Sequence, residues 1–161
     1  HSTMVPAMVI DRHGSAEQQK LLQGVLAGEL ILSHAVAEKN GRWTTDSIVL
    51  EGRTEGNELV LNGVKSFVGS YRASQLCLVL YRDVQASGKL GAVLVPTDTK
   101  GLSSEALVSM AKDGESNLKF DNVRVPLSAR IGQPDAGHAV ALGEQGLDVG
   151  GRCRGGGCGS R

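Results

Sequence analysis

The run Glu58–Ser70, ELVLNGVKSFVGS, constrains this chain more than any other stretch. It reads as a strand, a two-residue Asn62-Gly63 turn and a second strand. Asn-Gly between apolar alternations is the strongest short-range hairpin signal, because both central positions of a type I′ turn require positive φ. Before it, Ile48–Arg53 reads as a strand and Glu55-Gly56-Asn57 as its turn. Leu30–Ala37 is apolar at nearly every position and reads as a strand buried on both faces. After it come strands at Gln75–Tyr81, Leu90–Pro96, Leu102–Leu107 and Ser116–Val123, separated by Gly, Asp and Ser clusters. Such spacing implies a mainly β fold, an antiparallel sandwich or barrel running from about Leu30 to Val125.

One or two helices precede the strands. Ser15-Ala16-Glu17-Gln18 is a capping box, with Ser15 as N-cap and Gln18 reaching back from N3. A helix over Ala16–Ala27 carries Leu21, Leu22, Val25 and Leu26 at helical spacing, and Gly28 is its natural C′ residue. His1–His13 is apolar but weakly periodic, as the end of an upstream helix and its loop would be. Beyond the strands, Asp135-Ala136-Gly137 has the form of another helix opening. The end, Gly150–Arg161, is half glycine with three arginines and two cysteines. Each glycine costs about 1 kcal/mol inside a helix, so the tail is read as a truncated or out-of-frame end. Cys153 and Cys158 offer two metal ligands without a second pair, and the lone Arg-Gly-Gly has no aromatic neighbours.

Composition narrows the function classes. Lys+Arg and Asp+Glu number 17 each, so bulk charge does not call for a nucleic acid or a membrane surface. No apolar run is long enough to cross a bilayer and no basic-then-apolar leader is present, so the cytoplasm is the expected compartment. Aromatic residues are only 3% of the chain, which puts unusual weight on Phe67 and Phe120. Cys77 lies inside an apolar strand pattern and reads as a small buried hydrophobe. No catalytic pair is legible. His34 stands beside Ser33, but neighbours in a strand point to opposite faces. His13 with Glu17, and His138 with Asp135, fall in loops. Neither a dinucleotide fingerprint nor a P-loop occurs, and no metal set is visible.

A resemblance supplies what composition does not. NGVKSFVGS at Asn62–Ser70 resembles the N-G-x-K-x-[WF]-[IV]-[TS]-[NS] stretch of acyl-CoA dehydrogenases, in the middle β-domain of that family. Four further runs follow the family's order: GSAEQQKLL at Gly14–Leu22, LAGELILSHAVAE at Leu26–Glu38, GLSSEALVSMAKDGES at Gly101–Ser116, and LKFDNVRVP at Leu118–Pro126. Together they span roughly Gly14–Gly137. The resemblance implies the end of an N-terminal helical domain at 1–29, a flavin-binding middle domain at 30–126, and a linker with a truncated or aberrant C-terminal start at 127–161. The chain, which begins at His1, is on this view a fragment and inert alone.

The resemblance also implies a site. The family's T-E-P at the end of the first strand sets a backbone N–H and a Thr hydroxyl against the pyrimidine edge of FAD. Here the matching positions are Val36, Ala37 and Glu38, followed by Lys39, so the hydroxyl is missing at Ala37. The aromatic residue against the flavin is Phe67; Gly69 stands where a Thr usually bonds the N5 edge, with Ser70 beside it. In the loop that usually reads G-x-G-S-D, with Trp43 and Thr44 here, Thr45 and Asp46 are the best matches for substrate contact. The implied reaction is α,β-dehydrogenation of an acyl-CoA thioester, as in fatty acid β-oxidation. Electron-transfer flavoprotein would be the acceptor, within a homo- or hetero-tetramer. The base belongs to the C-terminal helical domain, so no catalytic residue is assigned here; Glu105, Glu115 and Asp121 read as solvated charges. Two alternatives share the fold: a non-catalytic subunit of a mixed assembly, which Ala37 and Gly69 favour, and a related flavin monooxygenase.

Overall fold

A computed structural model describes residues 3–40, 45–108, 114–132 and 137. Helix α1 (Met4–His13) is followed by α2 (Ala16–Gln19) and α3 (Leu21–Leu26). Ser15 Oγ accepts from the Gln18 N–H at 3.3 Å and Gln18 Oε1 from the Ser15 N–H at 2.9 Å, which completes the capping box. The helix expected over Ala16–Ala27 is broken at Lys20, and Gly28 ends it with φ +75°. Gln18 does a second job: its Nε2 donates to the carbonyls of Ser128 and Arg130, at 3.0 and 2.8 Å, and ties the helices to the far end of the chain.

Among the described residues eight strands follow: β1 (Leu32–Ala35), β2 (Glu51–Glu55), β3 (Glu58–Val68), β4 (Leu76–Asp83), β5 (Lys89–Pro96), β6 (Leu102–Ala106), β7 (Ser116–Pro126) and β8 (Arg130–Ile131). They form one sheet in the order β6-β7-β3-β2-β4-β5-β8, with β1 also on β4. The pairings β2–β3, β3–β7, β4–β5, β5–β8 and β6–β7 are antiparallel, as expected. Two are parallel: β1 pairs with β4 over Leu76–Val79, and β2 pairs with β4 at Arg82 and Asp83. Thus β1 and β2 share one edge of β4 end to end, and the chain between them leaves the sheet.

The expected turn at Asn62-Gly63 is not there. The hairpin turns at Gly56-Asn57, where Gly56 has φ +60°, and β3 then runs unbroken through Asn62 and Gly63. What the Asn-Gly pair marks is a bulge. Opposite Asn62, β7 carries an extra residue, with Asn122 at φ +50° donating its N–H to Asn62 Oδ1 at 2.8 Å. A second bulge follows, with the extra residue now in β3, between Lys65 and Val68, where Phe67 takes φ +57°. Asn-Gly tolerates the special backbone of either arrangement, so local chemistry alone does not separate turn from bulge.

Two apolar clusters explain the burial. The inner one joins Ala35, Leu50, Leu59, Leu61, Cys77, Val79, Tyr81, Val93, Val95, Leu118, Phe120, Val123 and Val125. The outer one packs α1 and α3 residues, Val9, Ile10, Leu21, Leu22 and Val25, on Leu32, Leu78, Leu80, Leu90, Ala92 and Leu94. Strands β4 and β5 are covered on both faces, which is why their sequences lack alternation. The Tyr81 ring lies between Gly52 and Gly91; a Cβ on either would come within 2.1–2.3 Å of ring atoms, so glycine is required at both. Gly137, the one described residue of the expected Asp135-Ala136-Gly137 opening, is helical and packs on the Leu90 backbone. Glu105 and Asp121 are exposed and Glu115 half-buried.

Phe120 is 2% exposed, so Phe120→Ala should cost about 3–5 kcal/mol, read as a lowered urea midpoint or melting temperature. Burial pushes the Tyr71 and Tyr81 hydroxyls up to about 12 from an ordinary value of 10.0. The fold therefore favours neutral tyrosine, and the unfolded chain releases these protons first as pH rises. The stabilisation is complete below pH 10 and lost between about 10 and 12. Melting temperatures followed by circular dichroism should fall steadily across that window, and Tyr81→Phe should blunt the fall.

Candidate functional site

The site begins where β1 leaves the sheet. Past Ala35, where β1 ends, Val36, Ala37 and Glu38 are each bonded to β3. The alternation that puts Leu59 and Leu61 of β3 inward also puts Lys65 inward, and it is completely buried. Its Nζ lies 2.7 Å from Glu38 Oε1, whose side chain is 5% exposed. The same Nζ donates to the Val36 carbonyl at 3.1 Å, and the Ser66 N–H donates to the Ala37 carbonyl at 2.9 Å. The Glu38 carboxylate also accepts from the N–H groups of Val49 and Leu50, each at 3.0 Å. One ion pair thus joins three segments distant in sequence: the end of β1, the approach to β2 and the second half of β3.

The approach to β2 is held from its other side by Arg82. Its Nε donates to the Ile48 carbonyl at 2.8 Å and its guanidinium to the Thr45 carbonyl at 2.9 Å. Asn40 Nδ2 donates to the Ser47 carbonyl at 2.7 Å. The strand expected at Ile48–Arg53 therefore starts late, at Glu51, because the N–H groups of Val49 and Leu50 are taken by a side chain rather than a neighbouring strand.

These bonds place the expected site residues. Val36 is half-buried and Ala37 buried, and both lie a hydrogen bond from β3. Phe67 is 51% exposed, so it is not core. Its left-handed backbone, uncommon for an aromatic residue, belongs to the bulge and turns the ring out of the sheet. Gly69 and Ser70, half-buried, form the turn that follows β3; Ser70 also has positive φ, at 58°. Thr45 and Asp46 form a 3₁₀ turn, with Thr45 half-buried and Asp46 exposed. Trp43 and Thr44 lie outside the described residues. Two open hollows adjoin this region. One of about 190 Å³ is lined by Glu38, Lys39, Asn40, Val49, Leu50, Gly63 and Val64. Its neighbour of about 280 Å³ shares Lys39 and Val64 and adds Ser103, Glu105, Asn117 and Lys119. Neither lining includes Phe67, which presents its ring on an open face.

The ion pair is the feature missed by sequence reasoning, although a signal existed: Lys65 stands on the same inward parity as Leu59 and Leu61. Ser33 and His34 form no dyad: Ser33 is buried and its Oγ accepts from Ser74 Oγ at 2.9 Å. Burial pushes the Cys77 thiol up to about 12, so it is inert. Among the described residues, no three or more His, Cys, Asp or Glu side chains converge as metal ligands, and no helix is long and apolar enough to cross a membrane.

Comparison with known proteins adds an independent line. A sequence model of the acyl-CoA dehydrogenase middle domain matches residues 33–123. An acyl-CoA dehydrogenase of Alternaria alternata, AFT10-1, is 29% identical over 87% of this chain and 33% of its own length. The mitochondrial isobutyryl-CoA dehydrogenase of Dictyostelium discoideum is 30% identical over 84% of this chain and 34% of its own. The chain thus spans about a third of the length of the curated relatives it matches. A glutaryl-CoA dehydrogenase from Mycobacterium smegmatis, solved with FADH2, superposes with a TM-score of 0.77 at 26% identity, over 86% of this chain and 36% of its own. The ChsE4–ChsE5 complex of Mycobacterium tuberculosis matches with a TM-score of 0.81 over 87% of this chain and 38% of that one, at 23% identity, and shows the shared fold alone.

The outward turn of Phe67 has a measurable cost. A side chain at left-handed φ loses about 1–2 kcal/mol, which glycine recovers less its own ~0.5–1 kcal/mol of chain entropy. Phe67→Gly should therefore leave stability within about 1 kcal/mol of the parent, whereas Phe67→Val, branched at Cβ, should lower it by about that amount or more. Chemical denaturation of the two variants checks the order.

Proposed function

Because this chain belongs to the acyl-CoA dehydrogenase family and carries its middle domain, we propose that it forms one wall of an FAD site in an oxidoreductase that desaturates acyl-CoA thioesters. The observation that carries this reading is Phe67: an aromatic ring half open to solvent, held at strained φ at a strand end braced by a buried ion pair. A lone exposed aromatic is ordinary, but one set at a backbone cost beside Val36 and Ala37 suits stacking on a planar ligand. The backbone donors of Val36–Glu38 and the Phe67 face fit a flavin. Ala37 and Gly69 do not supply the hydroxyls usual at those positions, and Ser70 is the side chain left near them. FAD bound there would supply the hydride acceptor.

The roles proposed for this chain's own residues are binding and orientation. Phe67 excludes water from one ring face, and Val36–Glu38 direct backbone N–H groups at a polar edge. Thr45 and Asp46 stand where an acyl-CoA thioester would approach. No residue of this chain is proposed as the base; that group would come from the C-terminal helical domain that the family resemblance implies. Electron-transfer flavoprotein as acceptor, tetramer formation and a cytoplasmic location belong to the same proposal, although relatives such as the Dictyostelium enzyme are named as mitochondrial.

A second reading is favoured by Ala37 and Gly69. With both hydroxyls absent, the chain would serve as a non-catalytic subunit that keeps the scaffold without the cofactor. Titration of this chain with FAD, followed by flavin fluorescence, separates the two. One wall leaves a ring face in water, and at about 25 cal/mol per Å² that forfeits several kcal/mol, or a few powers of ten in affinity. Each missing hydroxyl removes about 1 kcal/mol more. The expected result is weak binding, well above micromolar, or none, without dehydrogenase activity. Submicromolar stoichiometric binding would mean that these strands suffice. No binding until Ala37→Thr/Gly69→Thr restores it would favour the cofactor-free subunit.

A further inference from the structure

We propose that the buried Glu38–Lys65 pair is a positioning device: it aims the Ala37 N–H, past the end of β1, at the ligand, without touching the ligand itself. This rests on the flavin-facing reading above. The geometry comes from the planar trans peptide, in which C=O and the following N–H point in opposite directions. Lys65 Nζ holds the Val36 carbonyl at 3.1 Å, so the Ala37 N–H of that same peptide unit points away from Lys65. The Ser66 N–H holds the Ala37 carbonyl at 2.9 Å, so the Glu38 N–H points away from β3. The pair thus sets the direction of the Ala37 N–H, and the β3 backbone at Ser66 sets that of the Glu38 N–H beside it.

The carboxylate does the same for the facing segment. Glu38 takes the N–H groups of Val49 and Leu50 at 3.0 Å and fixes the chain running from Thr45 into β2. Stability alone does not account for the pair. A buried ion pair recovers little beyond its own desolvation, and apolar side chains of similar volume often serve a fold as well or better. What apolar side chains cannot do is bind one carbonyl and two N–H groups in fixed directions. A binding surface loosened by an ångström loses affinity steeply while its core stays packed.

The test is Glu38→Leu/Lys65→Met in this chain, which removes both charges and keeps the volume. Three readouts are compared with the parent: melting temperature, hydrogen-exchange protection of the Val49 and Leu50 amides, and FAD titration. Expected are a still cooperative melt lowered by several degrees, because the Val36 carbonyl and the Val49 and Leu50 N–H groups lose their partners, with protection at Val49 and Leu50 down at least tenfold and FAD affinity down at least tenfold. Glu38→Gln/Lys65→Met, which keeps an amide oxygen for Val49 and Leu50, should return protection there but not the FAD affinity. If both double variants fail to fold, or if they fold with protection and FAD affinity within twofold of the parent, the positioning role is overturned. If neither the parent nor Ala37→Thr/Gly69→Thr binds FAD at any concentration, the flavin reading fails, and the exchange data alone decide the positioning role.

Discussion

Strand β4 is the constraint from which the rest of the architecture follows. It is buried on both faces, with Cys77, Val79 and Tyr81 in the inner cluster and Leu78 and Leu80 in the outer one. Its edge opposite β5 is longer than either β1 or β2, and the two divide it, both running parallel to β4. The two lie end to end and run in the same direction, so a link of a few residues could join them, but the chain through residues 36–40 and 45–50 instead makes an excursion. That excursion contains Val36, Ala37, Glu38, Thr45 and Asp46, and so the opening where the proposed site lies falls at the division of one strand edge.

An excursion from a sheet leaves backbone groups without ladder partners, and at the rim of a core they need other ones. Side chains provide them here. Glu38, Asn40 and Arg82 satisfy Val49, Leu50, Ser47, Ile48 and Thr45, and Lys65 satisfies Val36. The apolar floor beneath is inner-cluster Leu50 and Ala35. Polar side chains buried here are thus the counterpart of the missing strand pairing, and they hold irregular backbone as firmly as a ladder would.

How much of this was legible depended on the range of the interaction that decided it. The capping box at Ser15–Gln18, the end at Gly28, the buried β1, β4 and β5 and the inert Cys77 all follow from local pattern, and all stand in the structure. The Asn62-Gly63 turn did not survive, because turn and bulge demand the same residues and only the distant β7 selects between them. The late start of β2 and the break at Lys20 were likewise beyond local pattern; Glu38, outside the strand, takes the amides that would have extended β2. The site residues carried by the resemblance converge only in part. Val36 and Ala37 meet β3 just before Phe67 through explicit bonds, whereas Thr45 and Asp46 join them through the loop that Glu38 and Arg82 hold.

The two bulges between β3 and β7 have opposite sense, and that has a consequence for how this domain tolerates change in length. The first adds a residue to β7 at Asn122, the second adds one to β3 at Phe67, and the strands leave in the register in which they entered. Deleting either extra residue alone would let the pairs that flank it close into a regular ladder, and Leu118 would keep its face. Loss of the one at Phe67 would also flatten the projection that turns its ring out of the sheet. Each bulge is thus a local length buffer: it absorbs its own extra residue, so a change of one residue there need not spread into the pairings on either side.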